Sequence, residues 1–228
     1  MKLVLFDIDG TMLWSQGAGR RSMTAALVEA IGSAGPEGYR YDGKTDPQIA
    51  RDIMRHEGVE PSRIDALVPA LLERYVALLE EELRERRLEL FPGVAALVER
   101  VEATPGLVPG LLTGNVRRGA ALKLRAAGIA FERFRVGAFG SDHHHRPELP
   151  AIAQRRARET LGHDVAGGDV IVIGDTPDDI ACGRPIGART IGVATGHYGV
   201  EELARHAPAA VFATLEDTEA VMAAIVDE

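Results

Sequence analysis

KLVLFDIDGTML, residues 2–13, decides how this chain is read. Leu3, Val4, Leu5 and Phe6 read as a short buried strand. Two carboxylates, Asp7 and Asp9, follow one residue apart, and Gly10 and Thr11 end the strand pattern. Residues two apart on a strand point the same way, so both acids face one cavity just beyond the sheet edge. Paired carboxylates serve several chemistries: Mg²⁺ binding, a nucleophile with its acid/base partner, or an aspartic dyad. Alone, an Asp-x-Asp decides nothing, because strand ends and turns are rich in Asp.

A second stretch, VIVIGDTPDD at 170–179, changes this. It is another buried strand that ends in acids: Asp175, Asp178 and Asp179. Two such strands concentrate negative charge in one crevice, which costs energy unless compensated. A hard divalent cation relieves the repulsion, and carboxylate oxygens suit Mg²⁺. Asp178 is read as no more than a favourable charge at a helix start.

Two further pieces suit an anion. In LLTGN (111–115) a strand ends at Thr113, Gly114 and Asn115 before a helix capped by Asn115. A hydroxyl, a glycine N–H and a helix N-terminus together form an anion cradle. Arg146 precedes a helix at 149–161, where its guanidinium neutralises a phosphoryl oxygen and one of the acids. Three consecutive histidines, His143 to His145, cannot readily turn to one ion and are read as a polar loop.

The 228 residues carry 46% hydrophobic side chains and a net charge of −8. That content supports a sizeable core, and that charge disfavours nucleic acid as a partner. A single cysteine, Cys182, excludes an internal disulfide and suits a reducing cytosol. With no targeting segment and no membrane-spanning run, the expectation is a soluble, cytoplasmic protein, monomer or homodimer.

Short apolar runs at 2–6, 110–113, 134–139, 169–174, 189–195 and 209–214 alternate with helical patterns, the signature of a parallel sheet. Residues 14–90 differ: they show only amphipathic helix. Asp46-Pro47 opens one helix, Asp46 being read as its N-cap. A long stripe from Ile64 to Leu79 forms another, with a kink or break expected at Pro69. The reading is an α/β protein with a Rossmann-like parallel sheet core (1–13 and 91–228) and an inserted all-helical cap domain (14–90). An insert after strand one emerges where open α/β sheets bind ligands.

In this order, the pieces resemble the motifs of the haloacid dehalogenase superfamily. The motifs are Asp7-Ile8-Asp9-Gly10-Thr11, then Thr113, then a basic residue, then Gly174-Asp175-x-x-x-Asp179. Phe91-Pro92-Gly93 resembles the family's return from the cap, and GHYGVEEL (196–203) resembles the phosphoglycolate-phosphatase-like branch. The resemblance implies Asp7 as nucleophile and Asp9 as acid/base. It implies Mg²⁺ on the Asp7 and Asp175 carboxylates and the Asp9 backbone carbonyl, with Asp179 holding bound water. Thr113, Gly114, Asn115 and Arg146 would grip the phosphoryl group. An acid at position 9 implies P–O chemistry. The third motif is more often Lys-Pro, and here Arg146-Pro147 takes its place, with Lys123 as a rival.

The function implied is a Mg²⁺-dependent phosphatase acting on a small phosphorylated metabolite, phosphoglycolate-like or a sugar phosphate. A phosphomutase and a non-catalytic phospholigand-binding protein share the same motifs. Substrate choice is expected in the cap, with Arg20, Gly43 and Lys44 as candidate residues.

Overall fold

A computed structural model of the chain describes residues 1–227. Six parallel strands form one sheet: β1 (Lys2–Phe6), β2 (Leu107–Thr113), β3 (Val136–Phe139), β4 (Val170–Gly174), β5 (Arg189–Val193) and β6 (Ala210–Phe212). Their order is β3-β2-β1-β4-β5-β6. The chain order thus reverses between β1 and β4, and the crevice at such a switch point is where open α/β sheets bind ligands. Asp7 follows β1 and Asp175 follows β4, so the two acid-bearing strands flank this crevice side by side.

Alternation along β1 sets the two faces of the core. Val4 and Phe6 join one apolar cluster with Leu111, Ile171 and Ile173; Leu3 and Leu5 join the other with Leu112, Val170 and Val172. Helix α4 (Val94–Ala103) covers the first face and α6 (Leu149–Leu161) the second. Both faces are covered, as the short continuous apolar runs require.

Three helices lie between β1 and α4: α1 (Ala18–Ile31), α2 (Asp46–His56) and α3 (Pro61–Leu83). Their buried faces, with Leu27, Ile53, Tyr75 and Leu79, continue the first apolar cluster, so the cap is packed onto the core. The chain leaves and returns side by side: Leu13 bridges Leu90, and Phe91 N–H donates to the Met12 carbonyl at 2.9 Å.

Three local expectations are corrected. Helix α3 runs unbroken through Pro69, which lies on its exposed side; Ile64, Val68, Leu71 and Tyr75 are buried before and after it. Burial of that stripe outweighs one lost backbone hydrogen bond. Thr45, not Asp46, caps α2: its hydroxyl accepts from Gln48 N–H at 3.2 Å. The residue before α5 (Arg117–Ala126) is Val116, so Asn115 is free for other work. Among the described residues, no helix is long and apolar enough to cross a membrane.

Candidate active site

The turn after β1 is drawn tight. Gly10 takes φ +83°, and the N–H groups of Met12 and Leu13 return to the Ile8 carbonyl at 2.9 and 3.1 Å. A Cβ on Gly10 would lie 2.3 Å from Asp175 Oδ2, so only glycine lets the first turn approach the fourth strand's acid. Thr11 then donates to Asp175 Oδ1 at 2.9 Å. From the other side Gly196 approaches closer still, a Cβ there falling 1.8 Å from Asp175 Oδ2.

Four charged groups meet beneath this turn: Asp7, Asp175, Asp179 and Arg146 are 6%, 3%, 1% and 4% exposed. Carboxylate oxygens of the three acids lie within 4.8 Å of one another. Arg146 Nη2 contacts Asp7 Oδ1 at 3.2 Å and also donates to Asp179 Oδ1. Asp179 further accepts from the Thr176 hydroxyl at 2.7 Å and its N–H at 3.0 Å, closing a capping box on α7 (Pro177–Cys182). One guanidinium does not balance three acids. Burial, followed by repulsion from Asp179 and Asp9, outweighs Arg146 and pushes Asp7 up to about 7. Burial and the charges of Asp179 and Asp7 raise Asp175 as well. Oxygen donors held close and short of positive charge fit a hard divalent cation.

Asp9 has a different setting. Its Oδ2 accepts from Lys123 Nζ at 2.5 Å and from Asn115 Nδ2 at 2.8 Å. Lys123 also donates to Asn115 Oδ1 at 2.6 Å, and Asn115 Nδ2 to Thr113 Oγ1 at 2.8 Å. Burial would raise the Asp9 carboxyl, but the charge and hydrogen bonds of Lys123, with those of Asn115 and Ser15, hold it below its usual value. Lys123 is thus a partner of Asp9, and Arg146 is the base that reaches Asp7. Lys123 is readable only as the polar member of an otherwise small and apolar face of α5, with Gly119, Ala120 and Leu124.

The cap closes over these groups. Arg146 Nη1 donates to the Gly43 carbonyl at 3.3 Å, and Asp46 N–H to the Gly114 carbonyl at 2.8 Å. The Asp46 side chain accepts Val116 N–H at 2.8 Å, and Thr45 donates to the His144 carbonyl at 2.6 Å. A Cβ on Gly114 would lie 2.1 Å from the Lys44 carbonyl oxygen, so this glycine admits the cap loop. Asp46 was legible only as a helix start; its role at the interface depends on a segment seventy residues away.

A cavity of about 510 Å³ results. Asp7, Asp9, Thr113, Gly114, Asn115, Arg146 and Asp175 line its core side; Arg20, Gly43 and Lys44 line its cap side. Asp179 lies behind Arg146 rather than on the cavity wall. Cys182 is buried, burial pushes its thiol up to about 12, and its Sγ donates to the Asp179 carbonyl at 3.2 Å. It is a structural thiol.

The sequence model of the haloacid dehalogenase-like hydrolases matches residues 1–187. No curated protein matches the chain at a significant level. Among solved structures, a hydrolase from Pseudomonas syringae superposes with a TM-score of 0.76 at 19% identity, covering 100% of both chains. CbbY from Rhodobacter sphaeroides, solved with phosphate, gives 0.72 at 20% identity, covering 95% of this chain and 96% of its own. A predicted phosphoglycolate phosphatase from Haemophilus somnus gives 0.69 at 19% identity, covering 97% and 98%. At these identities the likeness is one of fold.

Proposed function

The chain belongs to the haloacid dehalogenase-like hydrolases, and on that premise we propose that it is a Mg²⁺-dependent phosphatase that hydrolyses a small phosphorylated metabolite through an aspartyl-phosphate on Asp7. The observation that carries this reading is the placement of Asp7. Its carboxylate is backed by Arg146 and shares one cavity with Thr113, Gly114, Asn115 and a second acid, Asp9. Residues 1–13 and 91–228 are assigned as the catalytic core and 14–90 as the cap, working in the cytoplasm that a lone buried thiol suits.

Phosphoryl transfer asks mainly for positioning and charge neutralisation. The Thr113 hydroxyl, the Gly114 backbone, Asn115 and Arg146 orient the phosphoryl oxygens. Arg146 Nε, buried without a protein partner, supplies one more donor for them. An Asp7 oxygen forms a bond to phosphorus while the bond to the leaving oxygen breaks, and Asp9 gives that oxygen its proton. A water then loses its proton to Asp9 and attacks phosphorus, freeing phosphate and restoring Asp7. Lys123 favours the ionised Asp9 needed for the second half. In the first half Asp9 carries a proton, which asks it to exchange Lys123 for the leaving oxygen. The Asp7 and Asp175 carboxylates and the Asp9 backbone carbonyl, with Asp179 behind them, are the groups that would hold Mg²⁺, which when bound neutralises phosphoryl charge.

The test is phosphate release from a panel of phosphorylated metabolites with Mg²⁺ or with EDTA, alongside Asp7→Asn. Release in Mg²⁺ alone, lost in the variant, supports the reading, as does a phosphoryl adduct on quenched wild-type protein that Asp7→Asn lacks. A phosphate isomer formed with no phosphate released would make the enzyme a phosphomutase instead.

A further inference from the structure

The charges around the cavity do not balance on the cap side. Its acids are each engaged: Asp9 with Lys123 at 2.5 Å, and Asp42 with His197 at 2.9 Å and Arg40 at 3.1 Å. Asp46 accepts Val116 N–H at 2.8 Å, in the field of Lys123. Two cations are left over. Arg20, on the first turn of α1, and Lys44, on the loop before α2, line the cavity, and among the described residues neither has a carboxylate at ion-pair distance. The chain carries 34 acids against 26 Lys and Arg, so a cation without an acid partner is not for want of acids. Nearby, Arg21 has found Glu82 at 2.6 Å, Arg74 has found Glu29 at 2.6 Å and Arg118 has found Glu73 at 2.7 Å.

Arg20 is also held in place. Its guanidinium lies over the Tyr41 ring, 4.1 Å from the centroid, and its Nη2 donates to the Tyr39 carbonyl at 2.9 Å. Lys44 Nζ stands 5.8 Å from the Tyr39 ring centroid. The two tyrosine rings pack edge to face with centroids 5.8 Å apart, so both cations rest on one aromatic wall. The backbone of Lys44 abuts Gly114, which ties that wall to the loop expected to hold the phosphoryl group. A phosphoryl group fills only part of about 510 Å³, and the space beyond it faces these cations.

Resting on the phosphatase reading, we propose that the leaving group of the substrate carries a second anionic group, a carboxylate or a second phosphate, received by Arg20 and Lys44. A neutral sugar or alcohol would leave both cations of the wall unanswered. Selection of this kind is large when a charged group is built to meet its counterpart and the competing compound lacks it.

Matched pairs test it: phosphoglycolate against ethyl phosphate for a carboxylate, and a pentose bisphosphate against the pentose monophosphate for a second phosphate. The expected result is kcat/KM higher by about tenfold or more for the anion-bearing member of at least one pair. Which pair responds separates carboxylate from phosphate. In Arg20→Gln and Lys44→Gln that ratio falls toward one, and because it is a ratio within each enzyme, general loss of activity cancels. A wild-type ratio near one in both pairs overturns the proposal, with no variant needed, and so does a ratio that survives both substitutions. Calorimetric titration of Asp7→Asn with the same compounds in Mg²⁺ reads the preference without turnover. If no compound releases phosphate, the phosphatase reading fails while the ratio of dissociation constants still decides this one.

Discussion

Lys123 Nζ lies 2.5 Å from Asp9 Oδ2, and the same ammonium lies 2.6 Å from Asn115 Oδ1. One buried cation from the middle of α5 therefore sets both the acid/base residue and the amide that holds Thr113. Lys123→Met leaves the Asp9 carboxylate and the Asn115 carbonyl without their donor. Urea unfolding should show a loss of about 2–3 kcal/mol, less than for a fully buried pair because Asp9 opens to the cavity. The turnover number should fall by about tenfold to a hundredfold, since Asp9 loses its position. A variant with wild-type turnover would remove Lys123 from the site.

Arg146 joins three places at once, contacting Asp7, Asp179 and the Gly43 carbonyl. Lysine keeps the charge but not the fork. Arg146→Ala should lower kcat by about a hundredfold or more, as expected for loss of a donor aimed at developing charge. Arg146→Lys should stay within about tenfold in kcat and raise KM, because the bond to the cap loop is lost. Steady-state kinetics of the two variants separates these roles; equal losses in both would mean that charge alone does not matter.

Gly196 is not in a strained conformation, yet a Cβ there would fall 1.8 Å from Asp175 Oδ2, which Thr11 holds from the opposite side. Gly196→Ala must displace that carboxylate. The Mg²⁺ concentration giving half-maximal phosphate release should rise by about tenfold or more. Gly199→Ala is the control, since a Cβ there meets nothing within 4 Å. An unchanged Mg²⁺ requirement in Gly196→Ala would exclude Asp175 as a ligand.

Burial pushes the Asp46 carboxyl up to about 6, against the charge of Lys123 and the Val116 N–H. A folded pKa above the unfolded value of 3.8 means the native state retains a proton that the unfolded chain has released. The contribution of Asp46 is therefore fullest below about pH 4, declines as pH rises through about 6, and is level above. Asp46→Asn keeps an acceptor for Val116 and loses the titration. The unfolding free energy of the variant minus that of wild type should grow between about pH 4 and 6.5 and then stay flat. A difference that is flat or falls across that range refutes the shift.

Both acid-bearing strands, their order in the chain, the α/β class and an all-helical insert were legible in the sequence. These features rest on local pattern: apolar runs of strand length, acids placed just after them, and helical stripes with no strand between residues 14 and 90. The same locality misled at Pro69, Asp46 and Asn115, where intrinsic preference points to a break and two caps. Packing of the α3 stripe overrides the first, and contacts with distant segments recruit the other two side chains.

What only the tertiary structure decided is which basic residue serves which acid, and which cations are left for substrate. Arg146 and Lys123 are equally charged in sequence. The sheet order sets Arg146 against Asp7 and Asp179, while α5 carries Lys123 to Asp9. The spare charge on Arg20 and Lys44 appears only once every neighbouring acid has a partner. Pairings of this kind join residues a hundred or more positions apart, as Lys123 and Asp9 are, and no local pattern encodes them because charge interaction depends on distance in space.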